Sequence, residues 1–221
     1  SCMVKENKYT VPRVGSVDFG CIITTPTGFD PQKESLPMIV FLHGAGERGF
    51  DVSALKVHGI PKIFAADPDY KGLRVITLSP QCPTHMTWNM LAAEVMELIK
   101  KVCDEYNVDR DRVSLTGLSM GGFGTWEIGM QNPDFFSALA PICGGAMSWR
   151  EGALKNMPMR VYHGDADPVV PVKNSIDAVE RLRAEGGNPE LTIYPGVGHD
   201  SWTYTYEQTD LIEWLVAQKR K

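Results

Sequence analysis

One serine, one aspartate and one late histidine could together carry out nucleophilic chemistry on a carbonyl. Ser119 stands in Thr116-Gly117-Leu118-Ser119-Met120-Gly121-Gly122. This is a G-x-S-x-G pattern, in which glycines two residues before and after the serine relieve crowding around a hydroxyl pushed out on a sharp turn. A serine hydroxyl is a weak nucleophile near neutral pH, so it needs a base and a group that orients the base. Of the five histidines, His199 is the best placed base, because Gly196-Val197-Gly198-His199-Asp200 follows the last strand-like run. His43 and His163 precede glycines at the ends of such runs and read as structural or shaping residues, and His58 and His85 lie in polar connections without a partner motif. The orienting carboxylate falls in His163-Gly164-Asp165-Ala166-Asp167-Pro168. Asp167 is preferred, since the stiff Asp-Pro turn fixes its side chain, while Asp165 reads as a cap on local backbone N–H groups.

Acyl transfer also requires donors for a developing oxyanion. The small residues of His43-Gly44-Ala45-Gly46-Glu47-Arg48-Gly49 allow close backbone approach. The expected donors are the N–H of Ala45, with Gly46 as a rival, and the N–H of Met120. Plainer readings exist for each segment: a tight turn bearing a surface Glu47–Arg48 pair, and a glycine-rich turn with an incidental serine. A phosphate loop is disfavoured, because the serine turn lacks the Lys-Ser/Thr ending of a P-loop.

These residues need elements to hold them. Gly20 to Thr25, Met38 to Leu42, Arg74 to Leu78, Val113 to Thr116, Ser137 to Ile142, Met159 to Tyr162 and Leu191 to Tyr194 read as strands. Most are continuous apolar runs, which suits strands covered on both faces. Apolar residues recur at three- and four-residue steps in Ala92 to Tyr106, Ile176 to Leu182 and Leu211 to Val216, and Phe123 to Met130 reads as the helix after the serine. The alternation implies an α/β fold with a mostly parallel central sheet and helices on both faces. Ser119, Asp167 and His199 then each follow a strand, in the chain order Ser…Asp…His.

Composition narrows the partners. The 221 residues suit a single domain over 1–221, with 43% hydrophobic and 22% charged residues and a net charge of −5. Nucleic acid is therefore an unfavoured partner. No apolar stretch approaches the roughly 20 residues needed to span a bilayer, so no membrane association is expected. The N-terminal SCMVKENKYT has no apolar signal core, which points to a cytoplasmic protein. Five scattered cysteines, Cys2, Cys21, Cys82, Cys103 and Cys143, contain no C-x-x-C pair, which argues against a disulfide framework and a zinc site.

With these motifs in hand, the sequence resembles the α/β-hydrolase superfamily. It is most similar to the small serine esterases known as predicted peptidases or polyhydroxybutyrate-depolymerase-like esterases, with acyl-protein thioesterases and dienelactone-hydrolase-like enzymes as relatives. The resemblance runs through HGAGERG, SPQCP, VDRDRVSLTGLSMGGFGTW, HGDADPVVP and GVGHDSW. It implies Ser119 as nucleophile, Asp167 as orienter and His199 as base, with no metal or organic cofactor. The dienelactone hydrolases use a cysteine nucleophile, so Ser119 disfavours that activity.

The expected substrate is a small-molecule carboxylic ester, short-acyl or aryl and including hydroxycinnamoyl esters. The interval from Gly144 to Pro158 is too short for a cap domain and leaves the fold without one. Trp88 and Trp202 are candidates to line the pocket, with a packing role for each as the alternative. A thioesterase, a small-peptide hydrolase and a catalytically silent binding protein of the same fold are the competing readings.

Overall fold

A computed structural model describes residues 6, 8–10, 15–147 and 149–221; Cys2 lies outside them. Seven strands form one sheet: β1 (Cys21–Thr24), β2 (Met38–Leu42), β3 (Ile76–Pro80), β4 (Val113–Leu118), β5 (Ala138–Ile142), β6 (Arg160–Gly164) and β7 (Glu190–Tyr194). Their spatial order is β1-β3-β2-β4-β5-β6-β7. β1 runs antiparallel to β3, and every other pairing is parallel. β4, which leads into Ser119, occupies the middle position.

Side chains alternate across this sheet and feed two cores. Met38, Val40 and Leu42 of β2 enter one apolar cluster, and Ile39 and Phe41 enter the other, as a two-residue strand period requires. Helices α2 (Ala92–Glu105), α3 (Met120–Gln131) and α4 (Lys173–Ala184) cover the first face through Val95, Ile99, Trp126, Ile128, Val179 and Leu182. Helices α1 (Gly59–Ala66), α5 (Trp202–Gln208) and α6 (Leu211–Ala217) cover the second through Ile60, Phe64, Tyr206, Leu211 and Leu215. Burying both faces explains why the strands read as unbroken apolar runs.

The expected strands all form, with shifted ends. β3 starts and ends two residues later than expected, because its register pairs Met38 with Ile76 on one side and Cys21 with Pro80 on the other. Helices α1 and α5 had no sequence expectation. GIPKIFAA carries Gly59 and Pro61, which look like turn residues, but proline is tolerated in a first helical turn. WTYTYEQ is rich in strand-favouring residues. It turns helical where Asp200 accepts both the amide and the hydroxyl of Thr203, at 2.9 and 2.8 Å. Among the described residues no helix is long and apolar enough to cross a membrane.

Candidate active site

The turn at Ser119 has no residues to spare. β4 ends at Leu118 and α3 begins at Met120, so Ser119 alone reverses the chain, at φ 53° and ψ −116°. A non-glycine residue in the left-handed region is strained and persists only where its surroundings hold it. Its N–H donates to the Ile142 carbonyl at 3.0 Å, and its own carbonyl accepts from Phe123. The glycines are explained by close backbone approach. A Cβ at Gly117 would lie 2.6 Å from the Leu42 carbonyl oxygen and would also strike that of Gly121, while one at Gly121 would collide with the Leu42 carbonyl. Ser119 itself remains partly exposed. The Met120 amide is the first of α3 and lacks an intrahelical acceptor, so it points where negative charge is favoured.

Asp167 and His199 form a pair. His199 Nδ1–H donates to Asp167 Oδ2 at 2.9 Å, and Asp167 Oδ1 accepts the amides of Val169 and Val170, both at 2.9 Å. The carboxylate is sealed at 0% side-chain exposure, whereas the imidazole is 23% exposed. Burial pushes the Asp167 carboxyl up, but the hydrogen bonds from His199, Val170 and Val169 outweigh it and hold the pKa below the ordinary aspartate value. A second imidazole lies beneath. His163 Nε2 is 3.4 Å from Asp167 Oδ2 and 2.7 Å from the Val170 carbonyl, and its Nδ1 is 2.7 Å from Ser175 Oγ. Burial lowers the His163 pKa, which suits a neutral ring donating from Nε2 and accepting from the serine. His163 thus braces the Asp167 loop, in the shaping role expected for it.

Asp165 lies on the same loop but faces elsewhere. Its Oδ1 accepts the Gly196 amide at 2.7 Å, and its own N–H donates to the Tyr194 carbonyl. It therefore caps a backbone N–H and ties the aspartate loop to the histidine loop. A Cβ at Gly164 would collide with the Val197 carbonyl, so the glycine before Asp165 lets the two loops touch.

The loop after β2 forms a 3-10 turn at Ala45–Glu47, whose first amides, Ala45 and Gly46, belong to exposed residues. A mesh from the segment after β3 holds this loop. The Cys82 amide donates to His43 Nε2 at 2.9 Å, the Gly49 amide to the Cys82 carbonyl at 3.0 Å, and Gln81 Nε2 to the carbonyls of Glu47 and Asp51 at 2.9 and 2.8 Å. Arg48 reaches the Ala45 and Met86 carbonyls. His43 Nδ1 meets the Gly44 carbonyl at 2.5 Å, so both ring nitrogens are engaged, and burial lowers its pKa to about 4. The ring is a neutral strut. Glu47 is not the surface residue of the plainer reading. It is buried beneath the turn, and that burial raises its pKa.

Two further expectations divide. Trp88 does not line a pocket: it is fully buried, its indole N–H donates to the His43 carbonyl at 2.9 Å, and its ring meets the His43 ring edge-on at 5.0 Å. Its polar handle is spent inside the protein, as buried tryptophans require. Trp202 does reach the site. Its ring lies edge-on to His199 at 5.3 Å and to His58 at 5.3 Å, though at 9% exposure it backs the imidazole more than it faces solvent. The sequence points to no site role for Gln81 or Cys82, and leaves His58 in a polar connection without a partner motif. Gln81 carries the one available signal, as a polar side chain among apolar neighbours at a strand end.

Comparison with known proteins places the chain among esterases of this fold. The phospholipase/carboxylesterase family model matches residues 76–212. A probable feruloyl esterase C of Aspergillus flavus is 28% identical over 109 residues, covering 49% of this chain and 40% of its own. Acyl-protein thioesterase 1 of Neurospora crassa is 30% identical over 140 residues, covering 56% and 52%. The chain thus spans about half or less of the length of these curated relatives. A thermostable esterase of known structure superposes with a TM-score of 0.84 at 38% identity, over 92% of this chain and 60% of its own. With the family model matched across more than half of its residues, the chain belongs to the phospholipase/carboxylesterase family, on the α/β-hydrolase fold.

Proposed function

We propose that the protein is a serine carboxylesterase acting through Ser119, His199 and Asp167. One observation carries the reading: a strained, partly exposed serine directly follows the central strand, at the same sheet edge as an imidazole bonded to a sealed, ionised carboxylate. Ser119 Oγ attacks the ester carbonyl carbon while His199 takes the hydroxyl proton. Asp167 holds the imidazole tautomer and offsets the charge that forms on it. The tetrahedral oxyanion is met by the amides of Met120 and of Ala45 or Gly46, each such donor being worth about 10² to 10³ in rate. Collapse expels the alcohol, which takes its proton from His199. Water then repeats the sequence on the acyl-enzyme and regenerates the serine.

The substrate class in this reading is soluble short-acyl or aryl esters, hydroxycinnamoyl esters among them, in keeping with the partial exposure of Ser119 and His199. Likeness to the feruloyl esterase supports the aryl part. Likeness to the acyl-protein thioesterase supports thioester hydrolysis as a second reading. In this reading residues 1–221 form a single hydrolase domain. The free, buried thiols of Cys82, Cys103 and Cys143 support a reducing, cytoplasmic setting.

A fluorophosphonate probe tests the nucleophile, and a panel of aryl esters, alkyl esters, thioesters and peptide amides tests the class. We expect a single adduct on Ser119, absent from Ser119→Ala, and turnover of esters ahead of amides. Full activity in Ser119→Ala would end the esterase reading.

A further inference from the structure

Cys143 is a buried group that the hydrolytic mechanism leaves unused. It follows β5 in a left-handed conformation, φ 43°, with its amide donating to the Tyr162 carbonyl at 2.8 Å. It is wholly buried. The thiol does not point into an apolar void. Its sulfur, a carboxylate oxygen of Asp167 and a ring nitrogen of His199 all lie within 4.8 Å of one another. Among the described residues no other three such donors come together. The remaining described thiols, Cys21, Cys82 and Cys103, therefore have no comparable partners.

The geometry is close to what a small cation needs. Three atoms so placed share a point about 2.8 Å or less from each, against about 2.3 Å for zinc–sulfur and about 2.0 to 2.1 Å for zinc–nitrogen bonds. An inward shift of well under 1 Å per ligand would close the gap. The donor types also select. Thiolate and imidazole favour thiophilic borderline and soft ions over magnesium or calcium. A thiolate and a carboxylate together neutralise a divalent cation, so the charge can enter a buried site. Entry is through His199, the one ligand whose side chain reaches solvent, with Asp167 and Cys143 closed behind it.

We propose that Cys143, Asp167 and His199 form a capture site for a thiophilic divalent cation such as zinc or cadmium, and that its occupation switches the enzyme off. The bonds formed are metal–sulfur, metal–nitrogen and metal–oxygen. The thiol proton passes to solvent; the Nδ1 proton that bonded Asp167 also leaves to water while Nε2 takes one from water, so the neutral imidazole binds through its Nδ1 lone pair, and no electron is transferred. Metal binding rests only on the three donors. Inhibition rests also on the reading of His199 as base and Asp167 as its orienter.

Cadmium titration of the purified protein tests both parts, with the ultraviolet thiolate-to-cadmium charge-transfer band read alongside ester hydrolysis. We expect the band to appear as activity falls about tenfold or more, with both effects reversed by a chelator. Cys143→Ser should abolish the band and raise the half-inhibiting cadmium concentration at least tenfold, whereas Cys103→Ser should leave both unchanged. His199→Asn, a change on a half-open loop, should weaken cadmium binding by the band alone and covers the case in which the Cys143 variant fails to fold. Absence of the band in the wild-type protein, or a band that persists in Cys143→Ser, overturns the site and leaves the triad reading standing. A chelator-reversible band without inhibition keeps the site and overturns the roles given to His199 and Asp167.

Discussion

The indole nitrogen of Trp88 lies 2.9 Å from the carbonyl oxygen of His43. The bond ties the segment after β3 to the first residue beyond β2, where the loop carrying Ala45 and Gly46 leaves the sheet. Gly124 of α3 makes room for it, since a Cβ there would press on Trp88.

Trp88→Phe keeps an aromatic ring but leaves the His43 carbonyl without its donor. Loss of that buried bond costs about 1 to 3 kcal/mol, so the melting temperature should fall by several degrees. The loop would also be less well placed, and kcat should drop on the order of tenfold to a hundredfold with KM little changed. A circular-dichroism melt and steady-state kinetics check both. A drop in KM-linked binding with kcat intact would return Trp88 to a substrate-contacting role.

His43 predicts an acid limb in stability. Burial lowers its folded pKa from 6.5 to about 4, so between those values the unfolded chain binds a proton that the folded chain refuses. Stability is then full above about pH 6.5 and declines as the pH falls. The loss approaches roughly 3 kcal/mol near pH 4, at about 1.36 kcal/mol per unit. Urea melts across this range should show the slope, and His43→Gln should flatten it. An equally steep slope in the variant would assign it to other groups. The depressed carboxyl of Asp167 acts lower, its contribution being lost as pH falls through its own folded value.

Much of this site is legible in the sequence, and the reason is local. Gly117 and Gly121 are required by backbone crossings with Leu42, so the constraint is written as residue type at fixed spacing. Asp167 was distinguishable from Asp165 because the proline after it fixes the turn. What holds the loop after β2 was not legible. Gln81 and Trp88 donate to backbone carbonyls, and Cys82 offers its own amide to His43 Nε2, each more than thirty residues away, and a backbone partner leaves no mark on the sequence. Trp88 looked like a pocket residue because an aromatic after a strand end is equally consistent with facing in or out. Only the direction of its N–H decides.

The two aspartates separate cleanly by partner. Asp167→Asn would leave His199 in the wrong tautomer and its developing charge uncompensated, a loss on the order of 10⁴ in kcat. Asp165→Asn still offers an oxygen to the Gly196 amide, and kcat should stay within a few-fold. Single-turnover kinetics with an activated ester would expose an exchange of the two results and with it an exchange of roles.

Acyl length should be set in part by the segment between β5 and β6, a stretch at that sheet edge that could fold over the serine as a cap. Arg150 is pinned to Glu127 at 2.7 Å, two helical turns down α3 from the serine, and Arg181 of α4 lies 3.7 Å from Glu151. Leu154 is buried in the core, and Gly152 packs against Glu185 at the end of α4. These contacts lay the segment along the flank of α3 and α4, with a single 3-10 turn at Glu151–Leu154. Among its described residues, those held along that flank offer no wall to enclose a long chain. A p-nitrophenyl ester series should therefore peak between acetate and hexanoate and show no jump in rate as substrate passes its solubility limit. Preference for palmitate with interfacial activation would mean that this segment detaches from Glu127 and Arg181 to form a cover, and Arg150→Ala should then alter the chain-length profile.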